Sequence, residues 1–532
     1  MITYCTCLSG PGHISPHVTI NALPGEVLLY IFAFCRVVAL NSVDDWDAPS
    51  EYQWPGPWPQ TWHELARVCQ RWRYVVFSSP LRLDLRIYCT NHTSMKELLD
   101  SWPPFPIEVY RTGYDDLGDH VIAALEHHGR VCQIDIGLPR SQPEFERFTT
   151  VMQGPFPVLT SLNIWSEPQG EGPPVNGAVL RQLPNTFLAG SAPRLQSLTL
   201  TGVPFPTLPQ LLSSLSFNDL SKLWLQNIPD FGYISPNAMA TGLSALTGLT
   251  TLCIAFQEFH LDRFHLDRIT RHPPPFTRLI LPALTEFYFR GVNEYLETLL
   301  AQFDAPQLKS FSINFFPGPI LDIREVVYHS QTLGSFSHAN VTISDRDANI
   351  NLERLPDGTV TYPRKTLDLE IYDEVHRPDW QASSLAQVLT QSLSLLSGIT
   401  ELAITINSSF TRLENLQVFM DNAEWLDLFH PFTAVRTLRL SGMQQSFLVS
   451  PLRWLTGERV TEVLPALQDL YFDKDSESEA GVEYMQQCME LFSAARRHSG
   501  HPVRVHRVEP PSNPFRSHID ILMRRSNDDS ST

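Results

Sequence analysis

Leu195-Gln196-Ser197-Leu198-Thr199-Leu200 reads LQSLTL, an apolar-x-x-apolar-x-apolar hexad. Leu198 and Leu200 are two residues apart, so in an extended chain they share one face while Ser197 and Thr199 take the other. Leu195, three residues earlier, closes the turn into the strand. The pattern returns at Val131-Ile134-Ile136, Leu159-Leu162-Ile164, Leu220-Leu223-Leu225, Leu249-Leu252-Ile254, Leu284-Phe287-Phe289 and Leu308-Phe311-Ile313. It resumes at Ile399-Leu402-Ile404, Val435-Leu438-Leu440 and Leu467-Leu470-Phe472. Shorter forms, Leu83-Leu85-Ile87 and Leu367-Leu369-Ile371, lack the first step. The central residues from Ile134 to Phe311 are spaced 28, 36, 25, 29, 35 and 24 residues apart. Self-similarity at such a period marks a solenoid, in which one repeat cannot bury its apolar face and a stack of them can.

Helical stretches are expected between hexads, at 207–217, 237–246, 293–303, 383–396 and 412–429. Strand then helix, repeated, gives a parallel sheet, because parallel neighbours need a crossover. The fold class expected is therefore α/β. The repeats resemble leucine-rich repeats. That family places Asn or Cys three residues past the last strand leucine. Only Asn407 fits here; Val203, Ile228, Val292 and Met443 occupy the equivalent places. The resemblance thus implies an irregular, leucine-rich-repeat-like αβ solenoid with an uneven arc. Within 340–364, the PDG turn between Ile350-Leu352 and Val360-Tyr362 reads as a hairpin inserted between repeats. The amphipathic stretch 482–498 reads as a helix capping the array.

Ahead of the repeats, residues 20–32 read INALPGEVLLYIF and residues 65–77 read LARVCQRWRYVVF. Pro24 suits a first helical turn, and Glu26 sits where the helix dipole favours negative charge. Val27, Leu28, Ile31 and Phe32 are spaced to form one apolar face, as are Leu65, Val68, Cys69, Trp72, Val75 and Val76. Leu23-Pro24, Glu26, Leu28 and Ile31, followed by Val68-Cys69 and Trp72, resemble the F-box, a helical motif that docks on the adaptor Skp1 and so on a cullin-RING ubiquitin ligase. The resemblance covers roughly residues 17 to 83. It implies a Skp1 contact through Leu23, Pro24, Leu28, Ile31, Val68, Cys69 and Trp72. The stretch 41–61, with Trp46, Trp54 and Trp58, is longer than the usual connection and reads as an inserted surface loop. The organisation expected is a disordered lead-in at 1–16, an F-box-like domain at 17–83, the solenoid at 84–508 and a disordered tail at 509–532.

Composition narrows the function classes. A net charge of −18 and a pI near 5.4 disfavour nucleic acid or an anionic membrane as partner. At 43% hydrophobic residues the chain has enough apolar side chains for a folded core. The apolar run 27–40 spans about 21 Å as a helix against about 30 Å of bilayer core, and Arg36 interrupts it, so no membrane span is expected. The eight cysteines lie singly, without CxxC, which fits reduced thiols in an intracellular protein. The first residues, MITYCTCLSGPGH, lack the basic start and apolar run of a secretory signal. The Asn-x-Ser/Thr tripeptides at Asn91, Asn340 and Asn407 then read as chance matches.

Sites of covalent chemistry are not evident. There is no glycine-rich phosphate loop and no GxSxG elbow. FHLDR occurs in tandem at 259–263 and 264–268, but a five-residue offset does not align His260 with His265 on a helix. His127-His128 reads as a helix end, 473–479 (DKDSESE) as a solvated loop, and Cys69 as a packed thiol. No catalytic residue, metal or cofactor is expected. The sequence reads as a target-recognition subunit of a Skp1–cullin–F-box ubiquitin ligase, with the repeats holding a target protein. The alternatives are a non-catalytic repeat scaffold without a ligase and, more remotely, an enzyme on a parallel α/β scaffold.

Overall fold

All ten hexads fall on strands, and both residues of each alternating pair are buried, Phe472 being the most exposed at 8%. They do so in a computed structural model that describes residues 20, 23–32, 61–79, 85–89, 99, 103–111, 118–166, 181–214, 219–257, 278–316, 322–344, 347–354, 365–372, 378–407, 428–442, 452, 460–473 and 479–508. The chain divides into two units, Met1–Val151 and Met152–Thr532.

The first unit contains helix α1 at 25–32, α2 (Thr61–Val68) and α3 (Gln70–Ser78). Strands β1 (Ile87–Cys89), β2 (Ile107–Arg111) and β3 (Val131–Gly137) follow in parallel, with α4 (Asp119–Leu125) before β3 and α5 (Gln142–Val151) after it. Strand β2 was not legible in the sequence, because only Ile107 and Val109 alternate before Arg111 takes the third inward place.

The second unit runs β4 (Ser161–Trp165), β5 (Ser197–Thr201), α6 (Leu208–Ser214), β6 (Lys222–Ile228), α7 (Pro236–Leu243) and β7 (Thr251–Phe256). A two-residue strand β8 (Leu279–Ile280) precedes β9 (Glu286–Gly291) and α8 (Asn293–Leu300). β8 pairs with β10 (Phe303–Asp304), outside the main sheet. Next come β11 (Ser310–Phe315), α9 (Arg324–Ser330), β12 (His338–Ser344), β13 (Asp347–Arg354) and β14 (Lys365–Tyr372). The chain continues through α10 (Pro378–Gln391), α11 (Leu393–Leu396), β15 (Glu401–Asn407), β16 (Thr437–Gly442), β17 (Asp469–Asp473), α12 (Glu479–His498) and β18 (Arg504–Val508). The sheet order in this unit is β4-β5-β6-β7-β9-β11-β14-β13-β12-β15-β16-β17-β18. Every pair is parallel except the two made by β13. The unit is thus an αβ solenoid with a parallel-dominated sheet.

One hydrogen-bond device repeats along it. The carbonyl just before most strands accepts two consecutive N–H groups from the next repeat. Thr160 O takes Gln196 N and Ser197 N at 2.8 and 3.1 Å; Ser221 O takes Thr250 N and Thr251 N at 2.8 and 3.0 Å. Thr250, Thr285, Ser337, Thr400 and Arg436 do the same. A carbonyl has two lone pairs, so both donors are satisfied and the register is set before the strand begins. Hydroxyls reinforce it: Ser221, Thr250, Thr285 and Thr400 each donate to the preceding repeat's carbonyl, at 3.1, 2.9, 3.1 and 3.2 Å. A Ser/Thr ladder at the strand entry therefore stands in for the missing asparagines. At the expected asparagine places, Val203, Ile228 and Val292 are simply buried.

Two helix expectations are corrected, and the inserted hairpin is seen in part. β13 lies in the main sheet, antiparallel to both β12 and β14 (365–372); Val360-Tyr362, the expected second arm, lie outside the described residues. The helix expected from 482 starts at Glu479 and is not the terminal element, since β18 follows it and pairs with β17. RVHRV gave no strand signal because Arg507, in register with Phe472, breaks the apolar alternation that Val505 begins. The helix expected over 383–396 starts at Pro378 and breaks at Ser392. The helix expected over 412–429, the loop 41–61, the FHLDR pair and both termini fall outside the described residues, save the ends 61, 428 and 429.

Close approach between helices gives a test. A Cβ on Gly242 of α7 would lie 2.9 Å from Pro209 Cα in α6, a backbone atom that cannot swing aside. Helix propensity alone favours Gly→Ala by about 1 kcal/mol. We expect Gly242→Ala instead to destabilise the chain by about 1–3 kcal/mol, the usual cost of overpacking, measured as a lower urea midpoint.

Candidate docking surfaces

In the first unit, α1 turns Leu28, Leu29 and Phe32 inward, and the Phe32 ring lies 4.8 Å from Trp72 of α3. Trp72 is 9% exposed, and its Nε1 has no acceptor among the described residues. The sequence suggested one helix over 65–77. The structure breaks it at Cys69, which is extended (φ −159°, ψ 169°) and caps α3 by accepting the Trp72 N–H on Sγ at 3.4 Å. Cys69 takes the place Ser or Asp usually holds at a helix start. The break leaves Val68 59% exposed. Arg71 donates to the Leu23 carbonyl, and Arg73 Nε donates to the Ala66 carbonyl at 3.0 Å, tying the helix ends together.

The seven residues singled out from the sequence therefore divide. Leu28 and Trp72 belong to the core of the helical group. Cys69 is a half-buried cap, and Leu23 and Ile31 are half-buried. Pro24 and Val68 are exposed. Val27, grouped in the sequence with the inward face, instead shares the outward face with Tyr30, 68% exposed. Tyr30 and Tyr74 were missed as surface aromatics; the three-residue step from Val27 to Tyr30 was the available signal.

In the second unit, the sheet face opposite the leucines is polar. Register places Trp224, Cys253, Tyr288, Ser312 and Asp368 in one row, and Arg290, Asn314 and Glu370 in the next. Trp224 and Tyr288 lie on strands either side of Cys253, yet their rings stack 6.4 Å apart at 5°. They close over Cys253, whose thiol is fully buried and pushed well up by that burial. Further along, β13 sets Asn349 beside Glu370 and Asn351 beside Asp368. Asn349 Nδ2 donates to Asp368 Oδ1 at 2.7 Å. Burial pushes Asp368 up to about 6, against donation from Asn349 and Ser312. Burial, then repulsion from Asp347 and Asp368, pushes Glu370 up to about 8, against Arg290 and a donated bond from Asn314. Towards the other end, His506 stacks on Tyr471 at 4.5 Å, and Asp469 accepts from Arg504 and His506 at 2.7 and 2.8 Å.

Among the described residues, no group of three or more His, Cys, Asp or Glu is placed to hold a metal ion, and no helix is long and apolar enough to cross a membrane.

No family model matches the chain, and no curated protein matches it. Among solved structures it is similar to LegL7, a leucine-rich repeat-containing protein from Legionella pneumophila, at 14% identity over 83% of this chain and 97% of that one, with a TM-score of 0.22. It is also similar to the Rad7 and Elc1 complex of yeast, at 10% identity over 86% of this chain and 93% of that one, with a TM-score of 0.27. Similarity this remote assigns no family.

The raised carboxyls set the sign of a pH effect. Glu370 holds a proton in the folded chain that the unfolded chain releases near 4.5, so its contribution to stability is present below that value and is lost as pH rises towards about 8. Asp368 and Glu297, the latter pushed by burial to about 7, act in the same direction. We expect the urea midpoint to fall between about pH 5 and about pH 8, and Glu370→Gln to flatten part of that slope by raising the midpoint at the upper pH only. An unchanged slope in the variant would place Glu370 in water.

Proposed function

We propose that this chain is a target-recognition subunit of a cullin-RING ubiquitin ligase, which docks a Skp1-like adaptor through its N-terminal helices and holds a target protein on the repeat sheet. The observation that carries this reading is the exposed apolar set Val27, Tyr30, Val68 and Tyr74 on short helices whose own core is already filled by Leu28, Phe32 and Trp72. Apolar side chains left outside a completed core point to a partner surface. Within the residues taken from the F-box resemblance, Pro24, Ile31 and Val68 would touch the adaptor, while Leu28, Cys69 and Trp72 would hold the helices in shape. The chain itself would perform no covalent step. It would raise the local concentration of a target beside the ubiquitin-loaded enzyme.

The competing reading is a repeat scaffold without a ligase. Burial of Leu28 and Trp72 favours it to this extent: helices that start a solenoid need those residues for themselves. The two differ at the exposed positions. Tyr30→Asp with Val68→Asp alters surface side chains, so stability should shift by no more than about 0.5 kcal/mol at each. We expect the full chain to co-purify with Skp1 from co-expressing cells and the double variant to lose at least about tenfold of that capture. Undiminished capture by the variant would take the adaptor contact away from these positions, and a stable monomer that takes up no Skp1 would favour the scaffold.

A further inference from the structure

The polar centre of the sheet face has more acceptors than donors. Asp368, Glu370, Asn314 and Asn351 lie in adjacent rows on β11, β14 and β13. The donors towards the carboxylates are Ser312, Asn349 and Asn314. After those bonds, Asn314 Oδ1 and Asn351 Oδ1 are buried with no partner among the described residues. Asn314 is only 8% exposed and already points its amide nitrogen at Glu370, so its orphaned oxygen lies in the same cluster. A buried amide oxygen without a donor costs free energy that an arriving donor recovers. Two carboxyls and two amide oxygens together suit a group that is cationic and rich in N–H, whose arrival would release the Glu370 proton to solvent.

We propose that this cluster binds the side chain of a lysine or arginine carried by a partner polypeptide. The inference rests on the target-holding half of the function proposed above and gives that half a chemistry. A polypeptide is favoured over a free amine by what lies beside the cluster. The Trp224–Tyr288 stack stands on the same face, and Tyr288 is two strand spacings, about 10 Å, from Asp368. In an extended segment side chains two or four residues apart share one face and stand about 7 or 13 Å apart, so an apolar side chain on the rings and a basic one in the cluster bracket that distance. Arg290, on the same strand as Tyr288 and one row on, lies 5.6 Å from the Tyr372 and Phe316 rings and bounds the cluster on one side.

The test uses the full chain and nonamer peptide pools, randomised except for a central Lys, Arg, Ala or Glu. We expect the Lys or Arg pools to be retained at least about tenfold over the Ala and Glu pools, with an apolar residue enriched two or four positions away. Asp368→Asn with Glu370→Gln should bring retention of the basic pools down to that of the Ala pool. Trp224→Ala should remove the apolar enrichment and keep the basic preference. Equal retention of all pools overturns the inference. So does a basic preference that survives the double variant, or one abolished by spermidine with no positional preference, which would mark a free-polyamine site. Skp1 capture measured on the same protein separates the two proposals: capture without a basic preference sinks only this one, and a basic preference without capture sinks only the ligase.

Discussion

The structure depends on a carbonyl that receives two N–H groups. Thr160, Ser221, Thr250, Thr285, Ser337, Thr400 and Arg436 each present one at the entry to a strand, and the next repeat docks both of its first amides there. Once that contact forms, the following pairs are fixed, because a slip of one residue would turn every leucine to the polar face. Spacing between repeats can then vary from 24 to 36 residues without disturbing the sheet, since the variable length is spent in the crossovers and the register is set at a single point.

This explains how the array tolerates an interruption. β13 enters as an antiparallel strand, and β12 and β14 on its two sides keep the parallel direction of their outer neighbours β15 and β11. Ser337 then takes Thr400 N and Glu401 N as any other repeat would, and the ladder continues. The strand brings two asparagines to a face where Asp368 and Glu370 already lie, and so builds the polar centre from a departure in topology.

Much of this was legible in the sequence, and the reasons differ by element. The hexads stood out because their leucines must be buried, and burial constrains residue type strongly. The Ser/Thr ladder was visible as LTSL, LSKL, LTTL and ITEL, but the asparagine rule of related repeats drew the reading to the other end of the strand. β13 was visible as an arm of a hairpin, and its place inside the main sheet between β12 and β14 was not, since alternation does not say which strands pair. In the helical start, spacing found which residues matter without telling core from surface. Val27 and Leu28 are neighbours of equal hydrophobicity that face opposite ways. The helix breaks at Cys69, whose thiol accepts one N–H, and Val68 beside the break is exposed.

The account stands on the sheet being continuous through the insertion, and amide hydrogen exchange reads this directly. We expect the amides of 347–354 to exchange as slowly as those of 310–315 and 365–372, all within one cooperative unit. Exchange of 347–354 at the rate of an open loop, beside protected neighbours, would remove β13 from the sheet and contradict the account.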